Sequence, residues 1–245
     1  MPSGEGEDAS LQRTVEIEGF YWNLSPAGQA QVGAEGIPGT RVDLEDDLGY
    51  GSAEGVAGAR LTTGRIVQFH LAYFGLDMAA RHRATRTVRF EDVEFPVSAN
   101  VASSLDARFL LAAVRLRVGW GAVQGGLLGG GQFVDLDAAA SAEGYGEGAA
   151  QASAGMPVLG GFLDVRPFRL LRLRAAITGG DWGIEGVAAR FLDAEATALL
   201  CGPAGFFAGA GYRRIEVEGD DPESQISADL TFAGPLVCAG WAWNW

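Results

Sequence analysis

The stretch Thr14-Val15-Glu16-Ile17-Glu18-Gly19-Phe20-Tyr21-Trp22-Asn23-Leu24 sets Val15, Ile17, Gly19 and Tyr21 on one parity and Glu16, Glu18, Phe20 and Trp22 on the other. A repeat of two is that of an extended strand, because successive side chains leave opposite faces. The same repeat runs through the chain. Val67, Phe69, Leu71 and Tyr73 alternate with Gln68, His70, Ala72 and Phe74. Leu171, Leu173, Ala175 and Ile177 alternate with Arg172, Arg174, Ala176 and Thr178. Leu192, Ala194, Ala196, Ala198 and Leu200 alternate with Asp193, Glu195, Thr197 and Cys201. In the run 100–113, Val101, Leu105, Ala107, Phe109, Leu111 and Ala113 form the apolar parity. Asn100, Ala102, Ser104, Asp106, Arg108 and Ala112 form the polar, small one, with Leu110 as the exception.

About ten such segments emerge, at 14–24, 54–62, 65–78, 99–116, 121–137, 156–166, 170–181, 186–201, 206–218 and 226–245; eight strands is the alternative count. The connections alternate in length. Thr63-Gly64, Arg117–Trp120, Pro167–Arg169 and Gly202–Gly205 are short, whereas 25–53, 79–98, 138–155 and 219–225 are long. The link 182–185 is short where a long one is expected. The Gly/Ala-rich stretch 138–155 reads as one mobile loop. Residues 1–12 read as a flexible tail and 13–245 as a single barrel domain, since no linker, composition shift or long repeat divides the chain.

Composition narrows the class. The 245 residues include 18 Lys+Arg, all of them Arg, and 31 Asp+Glu, for a net charge of −13. Nucleic-acid binding is not expected of so acidic a chain, because phosphate contacts need clustered cations. With 48% hydrophobic residues the chain is not of the disordered type. No apolar run approaches the roughly 18 residues of a membrane helix. Segments of about ten alternating residues, with short turns at one end and long loops at the other, fit a transmembrane β-barrel. Three features favour that over a soluble barrel or sandwich. Charges sit at mid-strand on the polar parity. The opposite parity is rich in small apolar residues. Aromatics gather near strand ends at Phe20, Tyr21 and Trp22, at Trp120, at Phe206 and Phe207, and at Trp241, Trp243 and Trp245, as in an interfacial girdle. The fold expected is therefore an all-β, antiparallel up-and-down barrel whose apolar parity faces lipid and whose polar parity lines the lumen.

The ending Trp241-Ala242-Trp243-Asn244-Trp245 resembles the C-terminal signal that the insertion machinery of bacterial outer membranes reads. Gly211-Tyr212-Arg213, and Gly39-Thr40-Arg41-Val42-Asp43-Leu44 ahead of Asp47-Leu48-Gly49, resemble segments of small outer-membrane barrels. The chain as a whole resembles the class that includes the transmembrane domain of outer membrane protein A. That resemblance implies a Gram-negative outer membrane and a cleaved signal. The polar, acidic start Met1–Asp8 lacks a signal's basic and apolar regions, so the chain reads as a mature form. The implied partners are outer-membrane lipid and lipopolysaccharide, the insertion machinery and, as a further candidate, another envelope protein.

The candidate residues follow from the parity. Glu16, Glu18, His70, Asp106, Arg108, Arg172, Arg174, Asp193, Glu195 and Arg213 are expected to form a charge network in the lumen. Charges there must pair, because burying a lone one is costly. That network reads either as a stabilising plug or as a narrow polar path for small solutes. Arg81, Arg83, Arg86 and Arg89, with His82, are candidates for lipopolysaccharide phosphate, which Arg grips bidentately. Asp43, Glu45, Asp46 and Asp47 lack the spacing of a calcium loop and read as solvated. The same holds for Asp220 and Asp221. Two cysteines, Cys201 and Cys238, make neither a disulfide scaffold nor a four-Cys metal site, and their pairing stays open. No cofactor or metal is expected. Asp135-Leu136-Asp137 occurs without the Asp-x-His pair of the omptin proteases, and neither His70 nor His82 has the His-x-Ser pattern of lipid A deacylases. The chain therefore reads as a non-enzyme of structural or interaction role, with a narrow channel and a lipid-modifying enzyme as alternatives.

Overall fold

The structure is a computed structural model and describes residues 13–33, 39–51, 53–90, 93–184, 187–221 and 226–244. Residues 1–12 and Trp245, on which the flexible tail and the last aromatic of the terminal signal were expected, lie outside the described residues. Ten long strands run in chain order: β1 (Thr14–Val32), β2 (Glu54–Gly64), β3 (Val67–Arg83), β4 (Asn100–Trp120), β5 (Val123–Ala142), β6 (Gly146–Phe168), β7 (Leu171–Ile184), β8 (Val187–Cys201), β9 (Phe206–Asp221) and β10 (Ile226–Asn244). Each pairs antiparallel with the next. β10 returns to β1, with Thr14 opposite Asn244 and Val32 opposite Ile226, so the barrel closes. Closure pairs the backbone groups of all ten strands, which a β-structure in lipid requires. The connections at one end are tight. Gly64 and Gly121 turn there at φ 135° and 57°, in the left-handed half of the map that glycine adopts at least cost.

The outer wall shows where lipid ends. Val67, Phe69, Leu71 and Tyr73 of β3, Leu110, Val114, Leu116, Val118 and Trp120 of β4, and Val123, Leu127 and Phe133 of β5 all point outward and are exposed. From Trp120 to Leu110 the strand climbs ten residue steps. That is roughly 33 Å of strand, or about 25 Å of height at a tilt near 40°, the thickness of an apolar band. Aromatics border the band. Trp120, Phe168, Phe206, Trp241 and Trp243 stand at the tight-turn end, and Tyr21, Tyr73, Phe133 and Tyr212 on the other side. Phe20, Trp22 and Phe207, read from the sequence as part of the girdle, are instead buried inside.

Above the band the polarity of the two faces reverses without any slip in register. On β4, Arg115 and Arg117 face the lumen, while Asp106 and Arg108 face outward. Likewise Gln68 and His70 point in but Asp77 and Arg81 point out on β3, and Gln132 points in but Asp135 and Asp137 point out on β5. The apolar parity of 100–113 is thus an inner face: Val101, Ala107, Phe109, Leu111 and Ala113 are buried. The sequence reading put it on lipid. It fails because the upper strands stand in water and enclose an apolar core of their own.

The strands also run further than the lipid requires. Residues 25–32 and 79–83 continue β1 and β3. The stretch 138–155 is not a loop but the upper halves of β5 and β6, with Ala138 opposite Ala150 and a turn at 143–145. Small side chains give little burial pattern there, but backbone pairing needs none. β7 and β8 leave only residues 185 and 186 between them.

Inside the upper barrel, Trp22, Leu24, Phe74, Met78, Phe109, Ile215, Phe232 and Leu236 form a packed core. Leu44 and Tyr50 join it from the segment 39–51. A second cluster caps the mouth. Val88, Phe90 and Phe95, from the paired strands Val88–Phe90 and Val93–Phe95, pack on Val32, Val42, Ala99, Val101, Ala140 and Ala142.

Candidate functional site in the barrel lumen

The lower lumen, within the height of the lipid band, holds a ladder of ion pairs. Arg172 lies 2.7 Å from Glu16 and also pairs with Asp164. Arg174 reaches Glu16 at 3.1 Å, Glu18 at 2.7 Å and Glu195 at 3.6 Å. Arg60 is 3.2 Å from Glu18 and forms a two-pronged pair with Glu195. Arg213 donates from Nε and Nη2 to the two oxygens of Asp193, at 3.0 and 2.8 Å. Alternation does the positioning: Glu16 and Glu18, Arg172 and Arg174, and Asp193 and Glu195 each occupy successive inward positions of one strand. Every side chain in the ladder is buried or nearly so. The attraction is therefore little screened, and each pair offsets a large desolvation cost.

The ladder meets the apolar core at Arg213, whose guanidinium covers the rings of Phe74 at 4.5 Å, Trp22 at 5.2 Å and Phe20 at 5.5 Å. Phe74 stacks on Phe109 at 4.5 Å, and Trp22 meets Phe74 edge-on at 6.0 Å. These rings close the lumen just above the charges.

His70 also lies inside, its Nδ1 2.9 Å from the Thr62 hydroxyl. Asp106 and Arg108 require correction. They are on the outer wall above the lipid band, where Asp106 stands between Asp77 and Asp137 on neighbouring strands, and Arg108 opposite Asp135. Three members of the lower lumen were missed in the sequence: Arg60, Asp164 and Arg115. Arg60 is a single charge between uncharged Gly58 and Thr62, whereas Asp164 and Arg115 each have an arginine two positions on, Arg166 and Arg117. The parity rule applied to Arg60, between outward Ala59 and Leu61, would have found it. Arg115 was hidden by the face assigned to 100–113.

A cavity of about 90 Å³ remains beside the ladder, lined among others by Gln68, His70, Arg115, Gln124, Gln132 and Thr178. Cys201 and Cys238 are both free thiols.

At the mouth, the arginine cluster divides. Arg86 donates from Nη2 to Asp47 at 2.5 Å and to the Arg41 carbonyl at 2.7 Å, and Arg89 pairs with Glu94 at 2.8 Å. Arg81 and Arg83 are exposed on the outer wall of β3. The acidic stretch 43–47, expected to be merely solvated, is structural. The Asp43 side chain accepts from the amides of Glu45 and Asp46, and Asp47 accepts from the Asp43 amide. The hydrogen bond from Arg86 holds the Asp47 carboxyl below its ordinary pKa. Among the described residues no group of three or more His, Cys, Asp or Glu is placed to hold a metal.

No protein-family model and no curated protein matches the chain. Solved structures do. The outer membrane protease OmpT from Escherichia coli superposes with a TM-score of 0.60 at 10% identity, over 100% of this chain and 99% of that one. The transport unit of the autotransporter AIDA-I from Escherichia coli gives 0.41 at 10% identity, covering 97% of this chain and 92% of that one. Ail of Yersinia pestis gives 0.35 at 10% identity, covering 95% and 99%. The fold is that of the small outer-membrane β-barrels, in its ten-stranded form. The reading of the chain as a non-enzyme is overturned by the first of these comparisons. A protease occupies this same barrel from end to end, so missing short motifs do not bar catalysis.

Proposed function

We propose that this chain is an outer-membrane barrel with a closed lumen, whose role is to present its folded cap and upper wall to partners outside the cell. The observation that carries this reading is the double closure. A salt-bridged layer crosses the lower lumen beside a small cavity, and the rings of Phe20, Trp22, Phe74 and Phe109, packed edge-on and stacked, fill the layer above it. A barrel of eight to ten strands is narrow enough for side chains to do this. The cap of 39–51 and 88–95 is likewise packed rather than loose. Arg81 and Arg83 have no carboxylate within 4.0 Å among the described residues, which supports contact with lipopolysaccharide phosphates.

The test combines conductance with surface labelling. The protein refolded in detergent should migrate differently boiled and unboiled, and should give no unitary conductance in a planar bilayer. In a cysteine-free background, Thr85→Cys, at an exposed position between β3 and the cap, should react with an impermeant maleimide on intact Gram-negative cells. Steady channels from the intact protein, or a Thr85→Cys thiol that reacts only after the cells are broken, would defeat the proposal.

A further inference from the structure

We infer that the lower lumen is a binding site for a small oxyanion, of the phosphate type, gripped by Arg115. The pairing pattern singles this residue out. The five ladder carboxylates, Glu16, Glu18, Asp164, Asp193 and Glu195, all have guanidinium partners, supplied by Arg60, Arg172, Arg174 and Arg213 and, for Asp164 at 4.0 Å, by the half-exposed Arg166. Arg115 and Arg117 are the further luminal arginines, and Arg115 is the deeper of the two, opposite buried Gln68. Among the described residues no carboxylate stands within 4.0 Å of Arg115, and its Nε is buried without a hydrogen-bond partner. Its guanidinium lies over the ring face of Phe162, 5.2 Å from the centroid.

The walls around Arg115 differ from the rest of the lumen. All the carboxylates lie on β1, β6 and β8. The arc made by β3, β4 and β5 turns Gln68, His70, Arg115, Arg117, Gln124 and Gln132 inward and no acid. Gln68 is directly opposite Arg115 across the strand pair and is buried. The five ladder carboxylates line the cavity from the other side, each held by arginine, so the side that offers guanidinium and amide groups without an acid suits an anion. The planar fork of Arg matches two oxygens of a phosphate or carboxylate at once. Size sets the class. About 90 Å³ holds several water-sized positions but falls well below the roughly 300 Å³ of an ordinary solute pocket. The occupant is therefore a free inorganic oxyanion or a group of that size. It enters from the tight-turn end, which is periplasmic in barrels of this architecture, because the aromatic layer blocks the other way.

This inference does not depend on the proposed surface role, since a non-conducting barrel can hold an anion. The experiment is calorimetric titration of the refolded full-length chain with inorganic phosphate at low ionic strength. Saturable binding is expected below about 10 mM, weakened roughly tenfold or more in Arg115→Gln and left unchanged in Arg108→Gln on the outer wall. Gln68→Leu, which keeps every charge, should weaken binding several-fold and serves if Arg115→Gln does not refold. Addition of vesicles of an anionic phospholipid tests the other source of phosphate. Competition with free phosphate there would show that the headgroup uses the same site. No saturable heat, or equal affinity in the wild type and both luminal variants, would overturn the inference and leave a cavity filled by water.

Discussion

Arg213 and Asp193 form a two-pronged ion pair at 3.0 and 2.8 Å directly beneath the stacked rings of Phe74 and Phe109, so one guanidinium joins the charged layer of the lumen to the aromatic one. Such a residue has two roles, charge partner and ring contact, and substitutions separate them. Arg213→Met should destabilise the refolded barrel by about 3 kcal/mol or more, because Asp193 is left unpaired in a dry site. Arg213→Lys should restore little, since an ammonium cannot make both bonds and cover the rings. The pair of changes Arg213→Met with Asp193→Leu should be milder than Arg213→Met alone. Urea titration read by the gel shift of the folded form checks all three.

Arg174 is shared by Glu16, Glu18 and Glu195. Arg174→Gln should therefore cost more than any other single change in the ladder, at the upper end of about 3–5 kcal/mol. Glu18→Gln on top of it should recover part of the loss by removing a stranded charge. If the two changes are simply additive in a double-mutant cycle, Arg174 and Glu18 do not act as a unit.

The cap gives the pH dependence. Arg86 lowers the Asp47 pKa in the folded protein relative to the unfolded chain. The contribution to cap docking is thus fully present above the ordinary Asp range, near pH 4, and is lost as pH falls through the lower folded value. Protection of the amides of 43–50 from hydrogen exchange should hold at pH 7 and drop in strongly acid solution. Asp47→Asn should show the acid behaviour already at pH 7, while β4 and β5 stay protected in both.

On the outer wall, Asp77, Asp106 and Asp137 stand abreast on three neighbouring strands. Like charges directly opposite one another weaken a sheet. Asp106→Asn should therefore raise stability by roughly 0.5 kcal/mol at low ionic strength, an effect that shrinks in salt. A loss of stability would mean that the row has a cationic partner in solution.

The period-two alternation in the sequence was enough for the ten strands, their antiparallel order and the tight-turn end. It also put Glu16, Glu18, Arg172, Arg174, Asp193 and Glu195 on inward positions, where they meet in the lumen. Alternation says that two faces differ, however, and not which one is inside. The run 100–113 shows the limit. Asp106 and Arg108 share a parity that is polar and lies outside, whereas Arg115 and Arg117, on the other parity of the same strand, are polar and lie inside. Only closure of the barrel at a fixed height against lipid gives each face its sign. Below that height the surroundings are apolar and the lumen takes the charge. Above it the surroundings are water, and the lumen becomes the core. Which guanidinium meets which carboxylate was likewise decided by closure. Glu16 and Arg172 are 156 residues apart in the chain and meet only across the barrel interior, a distance that no local pattern encodes.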